Sequence, residues 1–191
     1  LDQILSLGEG GEVTLKFARP IRDEPLNPFG LDFIVFGGAG FTITNGDFSG
    51  GGITDGTLFG QDSDGTRVSV SADGEAWFRL DSEQASSFDG YHPTDGAGDF
   101  GLPVDPALGK ADFADAGLAK FTELYAGSSG GTGFDIGWAI DANGQPVALG
   151  QVQFVRLEVV SGKAEVDAVS DVLPRTENLA WHVDDFSVDP L

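Results

Sequence analysis

The chain has 191 residues, 31 acidic and 10 basic, which gives a formal net charge of −21, and it has no cysteine. The absence of cysteine excludes disulfide bonds and thiolate metal sites. So acidic a surface argues against nucleic acid and anionic membranes as partners, and we predict no measurable affinity for DNA or RNA at physiological salt. No apolar run approaches the ~20 residues of a membrane-spanning helix, so no membrane insertion is expected. The length suits a single domain over residues 1–191.

Short apolar stretches bounded by glycine and proline predict β-strands along most of the chain. In residues 12–17, apolar and polar side chains alternate, which is the pattern of a strand with one wet face. The run LDFIVF at 31–36 is nearly all apolar and predicts a buried core strand. Three prolines within 19–30 exclude a central strand there. The other predicted strands are residues 3–7, 41–44, 152–160, 165–172 and 181–188.

The stretch RVSVSADGEAWFRL predicts an antiparallel hairpin, and its side chains select the register. A three-residue loop pairs Val70 with Ala76 and Val68 with Phe78, which places the apolar side chains on one face. A two-residue loop would split them between both faces. We therefore expect Val68 and Phe78 to face the core and Trp77 to face away from it.

The remaining segments predict loops and one helix. Residues 45–65 and 81–110 are rich in glycine and aspartate, and a loop as long as 81–110 is usually functional or mobile. Residues 112–125 favour a helix that begins at an Asp112 cap and ends before Gly127. One helix among many short strands and turns predicts an all-β fold, an antiparallel β-sandwich.

Six pieces of the sequence, taken in order, resemble a family of exported bacterial cell-surface proteins. They are SLGEGGEVTLKF, LDFIVFGGAGF, VSVSADGEAWFRL, YAGSSGGTGFDIG, FVRLEVV and VDAVSDV, and they span most of the chain. The resemblance implies a galactose-binding-like jelly roll, a sandwich whose end loops commonly hold Ca²⁺ or a glycan. It also implies a secreted or cell-surface location and a non-catalytic role. The long 81–110 region and the C-terminal strand depart from the family's pattern.

Carboxylates in or beside strands are the candidate metal ligands. Asp135 follows a glycine-rich approach and matches a position in the family, which makes it the strongest candidate. Asp32 and Asp167 lie inside apolar strand patterns, where an unpaired carboxylate is costly unless it simply faces solvent. Asp141 and Asn143 offer further oxygen ligands from the adjoining turn. Ca²⁺ is the expected metal, because it prefers oxygen and nothing here supplies the imidazole or thiolate that Zn²⁺ favours.

The candidate sugar contacts are Trp77, which points away from the core face of the hairpin, and three aromatic side chains in or near loops, Tyr91, Trp138 and Trp181. Core cover or edge packing is the more ordinary role for each of them. If they bind a ligand, the expected partner is a glycan or another component of the cell surface.

Catalysis is not expected from this sequence. His92 and His182 are the only histidines, and there is no G-x-S-x-G elbow beside which either could act as a base. Carboxylates are so numerous that no particular glycosidase pair stands out. We therefore expect a non-catalytic surface binding or adhesion module that is stabilised by calcium. The alternatives are a purely structural cell-envelope or matrix domain and a glycan-active hydrolase.

Overall fold

The computed structural model describes residues 4–60, 65–90 and 92–174. These residues form twelve β-strands, one α-helix and three short 3₁₀ helices. The strands are β1 (Leu5–Gly8), β2 (Glu12–Arg22), β3 (Phe33–Phe36), β4 (Gly40–Ile43), β5 (Thr54–Phe59), β6 (Thr66–Ser71), β7 (Phe78–Leu80), β8 (Thr132–Phe134), β9 (Ala139–Ile140), β10 (Gln151–Val159), β11 (Lys163–Val166) and β12 (Ala168–Asp171). The α-helix is α1 (Leu118–Tyr125), and the 3₁₀ helices are Pro28–Gly30, Lys110–Phe113 and Ile136–Trp138.

Two antiparallel sheets packed face to face form the body of the protein. One has five strands in the order β2-β10-β6-β7-β9, and the other has three in the order β12-β3-β8. The main core lies between them, where Phe33 and Phe134 of the small sheet meet Val70, Val155 and Leu157 of the large one. Strands β1 and β11 form a two-stranded sheet, as do β4 and β5. The prediction of an antiparallel all-β sandwich with one short helix is confirmed.

Strand β3 is buried on both faces, as its nearly continuous apolar sequence predicts. Phe33 and Val35 point into the main core. Ile34 and Phe36 point the other way, into a second cluster that they form with Leu31. Because β3 is fixed by packing on both faces, the position of the preceding residue, Asp32, is fixed as well.

The hairpin of β6 and β7 has the predicted faces but not the predicted register. Val70 pairs with Phe78, two residues beyond the expected partner. The reason is Asp73, whose Oδ1 accepts the N–H groups of Glu75 and Ala76 and closes a wider turn. A shift of two residues keeps each side chain on its face. Phe78 accordingly packs against the main core, while Trp77 contacts Phe154 on the opposite face of the sheet.

Strand β2 extends further than predicted, through Pro20 to Arg22. It is an edge strand, and its register with β10 shifts between Val152 and Phe154. Proline is tolerated at such an edge and bulge because the missing N–H leaves no neighbour unpaired. The prediction that this stretch is not a central strand is confirmed.

The single strand predicted at 165–172 is two strands in the structure. β11 pairs with β1, and β12 pairs with β3, so the chain changes sheets at Asp167. The Asp167 N–H donates to the carbonyl oxygen of Phe36 at this step. The predicted strand at 181–188 lies outside the described residues.

The helix is shorter than predicted. Residues Lys110–Phe113 form a separate 3₁₀ turn, and Asp112 accepts the N–H of Gly109 at its start. Asp115 has a left-handed φ of 55°, which interrupts the helical path before α1 begins at Leu118. The predicted C-terminal end is close to correct, since Ala126 and Gly127 both have positive φ.

The long segment between β7 and the helix packs over the body of the protein. Phe88 enters the main core, Phe100 covers the second cluster, and Val104 joins Phe113 and Tyr125 in a third cluster beneath α1. Within the described residues, no helix is long and apolar enough to cross a membrane.

Candidate metal centre

Three aspartates from distant parts of the chain meet at one end of the sandwich. Asp32 precedes β3, and Asp135 follows β8, which is the antiparallel neighbour of β3. Phe33 pairs directly with Phe134, so the residues just outside this pair leave the sheet side by side. Asp23 joins them from the end of β2. The topology therefore brings together carboxylates that are more than a hundred positions apart in sequence.

One carboxylate oxygen from each of these aspartates lies within 4.8 Å of the others. Two oxygens bound to the same Ca²⁺ at 2.3–2.6 Å lie at most about 5 Å apart. Among the described residues, only Asp23, Asp32 and Asp135 bring three potential metal-ligating side chains so close. The spacing is therefore compatible with one calcium ion held by all three.

Asp32 is the buried centre of this group, and its side chain is 0 % exposed. Its Oδ1 accepts the N–H of Glu24 at 2.9 Å, and its Oδ2 accepts the N–H of Ile136 at 2.9 Å. Burial raises the pKa of Asp32 to about 6, and nearby Asp135 and Asp23 contribute, although the two N–H groups oppose the shift. The possibility that Asp32 faces solvent is wrong. A positive charge beside it would stabilise the ionised form at neutral pH.

Asp135 occupies the N-cap of the 3₁₀ helix Ile136–Trp138. Its Oδ1 accepts the N–H of Gly137 at 2.6 Å, and a Cβ at Gly137 would lie only 2.9 Å from that oxygen. Burial raises the pKa of the Asp135 carboxyl, the Gly137 N–H opposes the shift, and the negative charge of Asp23 adds to it. This mutual repulsion is what a bound cation would relieve.

Asn27 places a buried amide group beside Asp32. It is 6 % exposed, and its Nδ2 donates to Asp32 Oδ1 at 3.3 Å. Its Oδ1 is buried and has no hydrogen-bond partner among the described residues. A buried amide oxygen without a partner is costly, and carbonyl oxygens of this kind are common Ca²⁺ ligands. Asn27 is therefore an independent indication that a cation belongs here.

The structure brings together two of the five predicted metal ligands, Asp32 and Asp135. Asp141 instead closes its own turn, where its Oδ1 accepts the N–H groups of Asn143 and Gln145, each at 2.8 Å. Those N–H groups lower the pKa of Asp141. Asp167 lies where the chain passes from β11 to β12 and is not part of the group. Burial raises its pKa, and Glu165 contributes.

Of the predicted aromatic contacts at Tyr91, Trp138 and Trp181, only Trp138 lies within the described residues. Trp138 is half-buried and packs against both the main core and the second cluster. Tyr91 and Trp181 lie outside the described residues. Asp23 and Asn27 were missed, although the sequence placed both in the proline-rich stretch that leads to Asp32. No local motif marks them as ligands.

The fold and this centre together define an antiparallel all-β protein with a candidate cation site at one end of its sandwich. No protein-family model and no curated protein sequence matches the chain. The resemblance to an exported surface family, and the jelly-roll type that it implies, stay predictions.

Proposed function

We propose that the protein is a non-catalytic, exported binding module of jelly-roll type whose fold is stabilised by Ca²⁺ at Asp23, Asp32 and Asp135. The observation that carries the proposal is the fully buried Asp32 carboxylate, which faces two further carboxylates beside the unpartnered amide oxygen of Asn27. A fully buried carboxylate that faces two others is stable only with a proton or a cation to compensate it.

The spacing of the carboxylates favours a cation site over a glycosidase. In glycosidases the two catalytic carboxyl groups lie roughly 5–9.5 Å apart across a cleft that admits the sugar. Here the oxygens lie within 4.8 Å of one another, and Asp32 is completely buried. A sugar ring therefore has no access between Asp32 and its neighbours.

The cation would join segments that belong to different strands and connections of the fold. Residues 23–32 connect β2, the edge strand of the large sheet, to β3, the central strand of the small sheet. Asp135 follows β8, an edge strand of the small sheet. Ca²⁺ bound to all of them stabilises the folded state, because the unfolded chain does not hold these ligands together. The bound ion would thereby stabilise the sandwich that carries the binding surface of the module.

Calcium is expected to raise the stability of the protein, and this result tests the proposal. At a free Ca²⁺ concentration of about a hundred times the dissociation constant, the gain is roughly 2.7 kcal/mol. For a chain of this size, that corresponds to a melting temperature higher by roughly 5–10 °C than in EDTA. Thermal unfolding followed by circular dichroism, at matched ionic strength, measures the shift.

Asp135→Asn and Asp141→Asn form a matched pair for this test. Both variants lose one negative charge, and asparagine can still accept the N–H groups that each aspartate accepts now. Asp135→Asn should lose most of the calcium shift, whereas Asp141→Asn should keep it. A wild type that melts at the same temperature with EDTA and with Ca²⁺ contradicts the calcium site. Equal responses of the two variants would show that the ion binds elsewhere.

A further inference from the structure

The five-stranded sheet carries a charge opposite to that of the whole protein. Its strands hold six of the chain's ten basic residues but only two acidic ones, Glu12 and Glu158, although the chain has 31 acidic residues. The six basic residues are Lys16, Arg19, Arg22, Arg67, Arg79 and Arg156. The strong negative charge of the protein is therefore located mainly elsewhere.

The register places the central members of this set on the outer face of the sheet. Arg156 on β10 lies opposite Thr14 on β2 and opposite Ser69 on β6. Arg79 on β7 lies opposite Ser69 from the other side. The alternating residues Val155 and Leu157 point into the main core. Arginine side chains thus alternate with small hydroxyl residues across four neighbouring strands.

Two aromatic rings lie among these cations and are held in place by them. The Arg156 guanidinium lies 4.0 Å from the centre of the Trp77 ring, and Lys16 Nζ lies 5.5 Å from the centre of the Phe154 ring. The two rings meet edge to face at 6.5 Å. Trp77 Nε1 also donates to the carbonyl oxygen of Gly74 at 3.1 Å. Stacking and hydrogen bonding leave these side chains little freedom to lose on binding.

We propose that this basic face, formed by Lys16, Trp77, Arg79, Phe154 and Arg156, binds an acidic polysaccharide. Guanidinium groups pair with the carboxylates of uronic acid residues, since arginine matches a carboxylate with two parallel hydrogen bonds. The aromatic rings contact the apolar faces of the sugar rings. The inference rests on the proposed binding function and names its ligand, but it does not require the calcium site.

The arrangement favours an acidic polysaccharide over nucleic acid. Duplex nucleic acid carries one charge per ~1.7 Å, whereas a uronic acid polymer carries one carboxylate per sugar. A protein of net charge −21 repels the denser polyanion more strongly, while the local excess of cations suits the sparser one. The hydroxyl groups of Thr14 and Ser69 beside Arg156 can bond to sugar hydroxyls.

Titration calorimetry with a short linear oligogalacturonate, in EDTA and low salt, tests the inference on the full chain. Arg79→Glu should weaken binding by about tenfold, because it replaces a charge-assisted hydrogen bond with repulsion. Lys120→Glu is the matched control, since it makes the same change of charge on exposed helix α1. It should leave the affinity within about twofold. Trp77→Ala should weaken binding by roughly three- to tenfold through loss of ring contact.

Several results would overturn the inference. They are no binding of the oligogalacturonate, equal binding of a neutral glucose oligomer of the same length, equal losses in Arg79→Glu and Lys120→Glu, or tighter binding of a single-stranded DNA of the same charge. The titration is separate from the calcium experiment because it is done in EDTA. Uronate binding without a calcium shift contradicts only the metal centre, and a calcium shift without uronate binding contradicts only the basic face.

Discussion

Replacing Asp32 with asparagine is expected to change stability by an amount that depends on pH, with a span of about 2.5 kcal/mol between pH 4 and pH 7 in EDTA. The pKa of Asp32 is about 6 in the folded protein, against an ordinary value of 3.8. Between these values the folded state holds a proton that the unfolded state has lost. The contribution of Asp32 to stability is therefore most favourable below pH 4 and is lost as the pH rises through 6. Asparagine does not titrate, so the stability of the variant relative to wild type increases as the pH rises from 4 to 7.

Urea unfolding at pH 4, 5, 6 and 7 measures this difference. His92 titrates with the opposite sign, because burial lowers its pKa to about 4 from 6.5 and its contribution grows as the pH rises through that interval. It is present in both proteins and cancels in the comparison. Asp141→Asn is the control, since the lowered pKa of Asp141 predicts a small trend in the reverse direction. A difference between wild type and Asp32→Asn that stays constant with pH would contradict the prediction.

Replacing Phe134 with alanine is expected to destabilise the protein by about 3–5 kcal/mol. Phe134 is 0 % exposed, and its ring stacks on Phe33 at a centroid distance of 5.3 Å. The small side chain leaves a cavity between the two sheets that the packed core cannot fill by relaxation. Because Asp135 is the next residue, the substitution should also weaken the calcium response.

Phe48→Ala is the matched control for this substitution. Phe48 is 82 % exposed, so the same change there should stay within about 0.5 kcal/mol of wild type. Chemical denaturation of the two variants, in EDTA and in Ca²⁺, separates the packing effect from the metal effect. A loss below about 1 kcal/mol in Phe134→Ala would show that the two sheets do not share a close-packed core at this point.

Local patterns predicted the core strands, because burial of a strand is directly visible in its sequence, but they missed β5, which lies inside the predicted loop 45–65. The apolar run at 31–36 indicated a strand buried on both faces, and the alternation at 12–17 indicated one that is buried on a single face. The hairpin faces were predicted correctly for the same reason. Its register was not, because the Asp73 side chain, rather than the apolar pattern, sets the length of the turn.

The metal centre was only half predicted, because it depends on pairings between distant strands. Asp32 and Asp135 stood out as carboxylates beside apolar strands, but their meeting depends on the register of β3 with β8. Asp23 and Asn27 have no local mark, since each lies in irregular chain. Asp141 was misplaced for the opposite reason: a turn sequence rich in oxygen ligands also serves simply as a turn.

Of the basic face, the sequence indicated only Trp77 as a candidate sugar contact, and the charged residues were missed. Those residues, Lys16, Arg79 and Arg156, belong to three strands that are far apart in the sequence. Only the order of strands in the sheet brings them together. The expectation that the protein does not bind nucleic acid stays a prediction, and it rests on the overall net charge of −21.

The pairing of β2 with β10 has a consequence for how the chain folds. It places Val13 beside Leu157, so the longest ladder of the sandwich joins opposite ends of the described chain. β10 also lies between β2 and β6, so until residues 151–159 are present β2 has no neighbour in this sheet and β6 has only its hairpin partner β7. Closing so large a loop is slow compared with forming local contacts. A nascent chain that stops before residue 151 should therefore remain unfolded and accessible to chaperones, and folding should begin only after nearly the whole sandwich has been synthesised.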